Sequence, residues 1–275
     1  MGPTLATVRN YYDERVDGKI RDFTHANPRI EKAFMAVTNW LPPTANKILE
    51  IGCGIGAASW RLACLKPQSS VLGVDISSRS IEVAQTCFRR PNLAYRELLL
   101  ERGSLADRYD YVIMMDVYEH ISTAERSELH ATLAELLTDE GRLFLSFPTP
   151  DHQRFLKRYL PDHIQPVDED ITPETLSRLA SDVGAQLLFY RAISIWRTED
   201  YAHAVIGRTK SMEPINTATP TLLGTILKTL SDLIHKQRPG IALSLSNRTR
   251  ASMMCPWYIS AAAREQAIGA TRITE

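Results

Sequence analysis

Glu50, Gly52, Gly54 and Gly56 stand at alternate positions directly after the apolar pair Ile48-Leu49, and Asp75 closes the next apolar run. Glycines at this spacing take backbone angles that a Cβ forbids, and they let a ligand lie close to main-chain N–H groups. A carboxylate two residues before the first glycine would repel a pyrophosphate and attract a cation. Farther on, Asp116-Val117-Tyr118-Glu119-His120 sets an imidazole just after a third apolar run. Its ordinary pKa suits general-base work near neutrality, and Glu119 is placed to orient it.

Chemistry of this kind needs a frame. Residues 3–41 are helix-like and rich in aromatics (Tyr11, Tyr12, Phe23, Phe34, Trp40), and Pro42-Pro43 ends them. Apolar runs then alternate with helical patterns. Strands are predicted over 47–52, 70–76, 92–98, 109–117 and 141–148, with helices over 56–65, 78–90 and 122–137 between them. Short continuous apolar strands separated by helices indicate a parallel sheet covered on both faces, a doubly wound α/β fold. Residues 149–171 read as a long polar and aromatic connection, and Thr172-Pro173-Glu174 opens a helix to Val183. Two closely spaced strands, 185–195 and 201–208, suggest an antiparallel pair. The division expected is a helical cap over 1–43, a core over 44–210 and an appendage over 211–275.

Two ligands compete for the glycine corner. Gly52-x-Gly54-x-x-Ala57 satisfies the dinucleotide fingerprint, with Asp75 for the ribose. Glu50 argues against it, because a dinucleotide site has an apolar residue there. S-adenosylmethionine carries an ammonium and a sulfonium for Glu50, and a ribose for Asp75. The series Glu50-x-Gly52-x-Gly54-x-Gly56, Gly73-Val74-Asp75-Ile76-Ser77, Tyr109 to Val112 with Glu119-His120-Ile121, and Leu137 to Leu143 resembles class I S-adenosylmethionine-dependent methyltransferases over residues 45–208. The resemblance implies a seven-stranded Rossmann-like sheet with the last strand antiparallel. It implies that Glu50, Gly52, Cys53, Gly54 and Gly56 cradle the methionine part, and that Asp75 and Ile76 meet the ribose and adenine edge. Many members bind the adenine amino group through an aspartate after the third strand; here Glu97 or the backbone of Leu98 takes that place. Asp116 and Val117 form the wall between cofactor and acceptor, and Tyr12 is a lid candidate from the cap.

Methyl transfer from a sulfonium asks the protein to align an acceptor and to take a proton where the acceptor is a hydroxyl. His120 is the candidate base; Asp151, His152, His163 and Asp168 in the 149–171 connection are its rivals. Asp116 is followed by Val117-Tyr118 and not by two prolines and an aromatic, which disfavours the family's nucleic-acid and glutamine amino-methylating members. A small-molecule hydroxyl, of a sugar or other natural product, is the acceptor expected. Methylation of nitrogen or carbon, and a catalytically silent cofactor-binding subunit, are the alternatives.

Composition sets the outer limits. Lys plus Arg (32) equals Asp plus Glu (32), so no overall field recruits nucleic acid. Cys53, Cys64, Cys87 and Cys255 lie far apart without metal-ligand spacing; reduced thiols, a cytoplasmic location and no metal are expected. The first residues lack a signal-peptide core, and position 6 is Ala6 where a myristoylation site needs Ser or Thr. No segment offers the roughly 20 apolar residues of a membrane span. Residues 221–236 place Leu222, Leu223, Ile226, Leu227, Leu230, Leu233 and Ile234 on one helical stripe, a face for the body, for a second subunit in a homodimer, or for peripheral membrane association.

Overall fold

A computed structural model describes residues 4–208, 249, 250 and 252–254. The rest of the predicted appendage, including the stripe at 221–236 and Cys255, lies outside the described residues. Three cap helices come first: α1 (Leu5–Glu14), α2 (Val16–Thr24) and α3 (Pro28–Trp40). Then follow β1 (Lys47–Ile51), α4 (Ala57–Leu65), β2 (Ser70–Asp75), α5 (Ser78–Cys87), β3 (Leu93–Glu97) and β4 (Tyr109–Met115). A 3-10 turn, Tyr118–His120, leads to α6 (Arg126–Leu136), β5 (Leu137–Pro148) and α7 (Pro150–Tyr159). After α8 (Pro173–Asp182), β6 (Gln186–Ile193) and β7 (Tyr201–Gly207) complete the sheet.

Seven strands lie in the order β3-β2-β1-β4-β5-β7-β6, parallel except for β7, which runs antiparallel to both neighbours. This is the doubly wound fold the alternating pattern implies, with the seven strands that the resemblance implies. Successive residues of one strand serve opposite cores. Leu49, Val112 and Leu143 pack with Leu133, Leu176 and Leu179 on one side. Ile48, Tyr111 and Phe144 pack with Phe34, Val37 and Leu62 on the other. Continuous apolar runs are the signature of such two-sided burial. The chain leaves β1 toward β2 and β3, and later β4 toward β5, so a crevice opens at the carboxyl ends of β1 and β4.

Local structure differs from the sequence expectation in three places. Strand β5 begins at Leu137 and not at 141, because the β4 ladder shifts register between Tyr109, paired with Leu137, and Tyr111, paired with Arg142. Helix α6 starts at Arg126; Ser122 instead donates its hydroxyl to Glu125 Oε2 at 2.6 Å and forms the preceding turn. The 149–171 connection contains α7, with Thr149 as N-cap and Pro150 in its first turn.

The cap is held at two depths. Val16, Ile20 and Phe23 of α2 pack with Ile55, Val83 and Phe88, and Met254 joins them. Each such side chain contributes about 1.5–3 kcal/mol. Helix α1, by contrast, buries no residue; Asp13 Oδ1 accepts from Ser77 Oγ at 2.6 Å and from Arg79 N at 3.2 Å. Among the described residues, no helix is long and apolar enough to cross a membrane.

Candidate active site

The turn after β1 is built by its glycines. Gly52, Gly54 and Gly56 have φ of +70°, +53° and +83°. At Gly52 a Cβ would sit 2.3 Å from Val117 Cγ2, and at Gly56 2.6 Å from the Tyr95 ring, whereas at Gly54 the nearest atom is Lys19 Cδ at 3.5 Å. Gly52 and Gly56 therefore admit neighbouring side chains, and Gly54 is the glycine with room above it. Asp75 fixes this turn from β2: its Oδ2 accepts from Gly54 N at 2.7 Å and its Oδ1 from Ser77 N at 2.8 Å. Each oxygen keeps a lone pair for a ligand hydroxyl. Lys19 Nζ donates to Ser80 Oγ at 3.1 Å, laying the lysine across the corner.

Glu50 is 2% exposed and accepts a short hydrogen bond from Ser59 Oγ of α4. Burial, with the Asp75 carboxylate as a smaller cause, pushes its carboxyl up to about 7. Such a group ionises fully once a cation sits beside it. Cys53 is buried, and burial raises its thiol pKa, so it contributes no thiolate. Ile76 is half-buried beside Asp75. At the end of β3, Leu98 N donates to the Asp75 carbonyl at 2.9 Å, and Glu97 faces Arg9 of α1 at 3.5 Å.

Past β4 the chain turns sharply. Asp116 takes φ +54°, a left-handed conformation that aspartate tolerates better than most residues. Its Oδ2 pairs with Arg29 Nη1 of α3, and Oδ1 accepts from Ser146 Oγ at 3.3 Å. Tyr118 Oη meets His130 Nε2 at 2.7 Å, and His130 Nδ1 meets Asp182 Oδ2 at 2.7 Å, which pins the 3-10 turn to α6 and α8.

His120 follows on that turn. Its Nδ1 lies 2.8 Å from the Val167 carbonyl and 3.0 Å from Asp168 Oδ1. Both partners only accept, so they assign the proton to Nδ1 and leave the Nε2 lone pair basic. Burial pulls the imidazole pKa down, but Glu119, Asp168 and the Val167 carbonyl outweigh it and hold it above the usual histidine value. Asp168 is depressed despite its burial by hydrogen bonds from His120, Gln165 N and the Gln153 side chain. Glu119 is 1% exposed with Oε1 3.7 Å from His120 Nε2, and burial raises its pKa.

Of the rival bases, Asp168 thus orients His120, a role the sequence reading gave to Glu119. His152 packs against Tyr201, with ring centroids 5.5 Å apart, and burial lowers its pKa. Asp151 and His163 are exposed. Tyr12 is half-buried, its ring centroid 6.4 Å from that of His120, and desolvation with Glu119 nearby raises its hydroxyl pKa. It therefore stands between the glycine corner and the imidazole. Sequence reasoning missed Lys19, Arg29, Ser59, Gln153 and Gln165, all brought in by long-range packing.

With this geometry in hand, known proteins sharpen the picture. Residues 49–143 match the methyltransferase domain family. The ubiquinone biosynthesis O-methyltransferase of Leptothrix cholodnii is 28% identical over 174 residues, 56% of this chain and 72% of that protein. The magnesium-protoporphyrin O-methyltransferase of Synechocystis is 31% identical over 141 residues, 48% and 59% of the two chains. Its solved structure with S-adenosylmethionine bound superposes with a TM-score of 0.52 at 22% identity, over 74% of this chain and 97% of that one. A putative methyltransferase of Haloferax volcanii, solved with its Trm112 activator, gives a TM-score of 0.60 at 14% identity, over 75% and 100%. The chain spans 53%, 72% and 39% of the length of three curated relatives it matches. Residues 49–143 thus match a methyltransferase domain, and the sheet shares the fold of these solved methyltransferases.

Proposed function

We propose that the crevice binds S-adenosylmethionine and that the protein transfers its methyl group to a hydroxyl of a small molecule, a sugar or another natural product. The observation that carries this is the Asp168–His120 pair, with Nδ1 held and Nε2 basic, one strand end from the glycine corner. Glu50 and Asp75 would hold the cation and ribose, and the Gly54 turn leaves room for the methionine part. The bound sulfonium supplies an electrophilic methyl group, so the protein's own work is alignment and proton removal. With the group held there, the acceptor oxygen would take the methyl carbon while the carbon–sulfur electron pair stayed on sulfur. The hydroxyl proton passes to His120 Nε2, and the Asp168 carboxylate stabilises the imidazolium.

Relatives act, by their names, on a ubiquinone precursor, on magnesium protoporphyrin and on coclaurine, all small molecules. The test is transfer from labelled S-adenosylmethionine over a panel of sugars and phenols. His120→Ala should lower kcat by about 10²–10⁴-fold, with S-adenosylhomocysteine affinity unchanged in calorimetry. Turnover unaffected by the substitution would refute the base assignment.

A further inference from the structure

Three buried acceptor atoms near His120 have no hydrogen-bond partner among the described residues: Glu119 Oε2, Gln153 Oε1 and Gln165 Oε1. Glu119 and Gln153 are each 1% exposed. They come from the 3-10 turn, from α7 and from the segment beyond it, and each residue touches the His120–Asp168 pair, Gln165 through its backbone. Glu119 adjoins Nε2 of His120, the Gln153 side chain donates to Asp168, and Gln165 N donates to Asp168 Oδ2 at 2.8 Å. A buried acceptor left without a donor is costly, so such atoms on three residues that touch the His120–Asp168 pair point to something that donates to them.

Two charged donors of the same wall are engaged. Arg29 pairs with Asp116, and the Nδ1 proton of His120 lies between Asp168 and Val167. An acceptor with a carboxylate or phosphate would meet the carboxyl groups of Asp116, Glu119 and Asp168, while Arg29 is already paired with Asp116. A catechol offers two donors on a single edge and leaves acceptors on the other elements unmet.

We infer that the acceptor is a neutral polyol, whose hydroxyls donate to Glu119, Gln153 and Gln165 while one more is presented to Nε2 of His120. Glu119 and Gln153 are then specificity-determining residues. The inference rests on the methyltransferase reading above and narrows it. It separates this chain from any relative whose acceptor group is a carboxylate.

The test uses the full chain saturated with S-adenosylhomocysteine. Methyl glucoside and myo-inositol are titrated calorimetrically against benzoate and glutarate, and all four are offered with labelled S-adenosylmethionine. Binding and methylation of the polyols, but not of the carboxylates, is the expected result. Glu119→Leu and Gln153→Leu should raise KM for the polyol at least about tenfold, the loss of one buried hydrogen bond, with S-adenosylhomocysteine affinity little changed. Glu119→Gln, which keeps an acceptor oxygen, should recover most of that KM. Preference for the carboxylates, or no interaction with either polyol, overturns the assignment; should the leucine variants fail to fold, the panel on the unaltered protein decides it. Failure of the methyltransferase reading shows separately, as absent binding of S-adenosylhomocysteine.

Discussion

Glu50 keeps its proton to about pH 7 because folding removes its carboxyl from water. Its folded pKa is raised, so stability declines as pH rises from the usual glutamate range through 7. The full cost, on the order of 3 kcal/mol, is present above that. A cationic ligand reverses the balance. Affinity for S-adenosylmethionine should therefore increase between pH 6 and 8, with proton release at pH 6 visible as a buffer-dependent calorimetric enthalpy. Glu50→Gln should flatten that dependence, weaken binding and raise the melting temperature at pH 8. A second expectation concerns His120, which must be neutral to accept a proton. The kcat/KM profile should rise through a pKa above the usual histidine value, and Asp168→Asn should move the inflection to lower pH while lowering kcat. Both follow from neighbours the geometry names. Glu50, Asp75 and His120 were legible in the sequence because each closes or follows a strand beside its motif. The pairing of His120 with Asp168 was not, since 47 residues separate Nδ1 from its Val167 partner and no local pattern encodes that reach.

At the level of elements, the glycine turn divides its work between packing and access. Gly56→Ala would force a Cβ to within 2.6 Å of Tyr95 and 2.7 Å of Ala84 at φ +83°. It should cost more than about 1–3 kcal/mol and show as a large fall in melting temperature. Gly54→Ala meets only the flexible Lys19 chain at 3.5 Å and carries the φ strain alone. It should stay folded and weaken cofactor binding instead. Helix α7 teaches what pattern reading can miss. Thr149-Pro150-Asp151 is the same start signal as Thr172-Pro173-Glu174, which marked α8 correctly. Yet α7 buries only Gln153, so no apolar stripe announced it, whereas α8 buries Leu176, Leu179 and Ala180. The strands were readable because apolar runs buried on two faces leave little ambiguity.

For the whole molecule, cap and core are joined through Glu31. Its carboxylate receives both terminal nitrogens of Arg61 at 3.1 Å and Arg250 Nη1 at 3.0 Å, and those arginines are 5% and 2% exposed. Glu31→Ala withdraws the charge from two buried guanidiniums and should destabilise the fold by about 3–5 kcal/mol, measured by chemical denaturation. Arg250→Ala leaves the Arg61 pair intact and should cost less.

The Arg29–Asp116 pair has a consequence for how such proteins can be recombined. Asp116 lies within the segment shared with the methyltransferase domain family, residues 49–143, while Arg29, Tyr12, Gln153 and Asp168 lie outside it. Transplanting the shared segment into a related scaffold would carry over the cofactor corner but strand Asp116, in its left-handed turn, without its guanidinium. A working chimera has to take the cap and the α7 region along with it, because what this chain accepts is spelled on both sides of that seam.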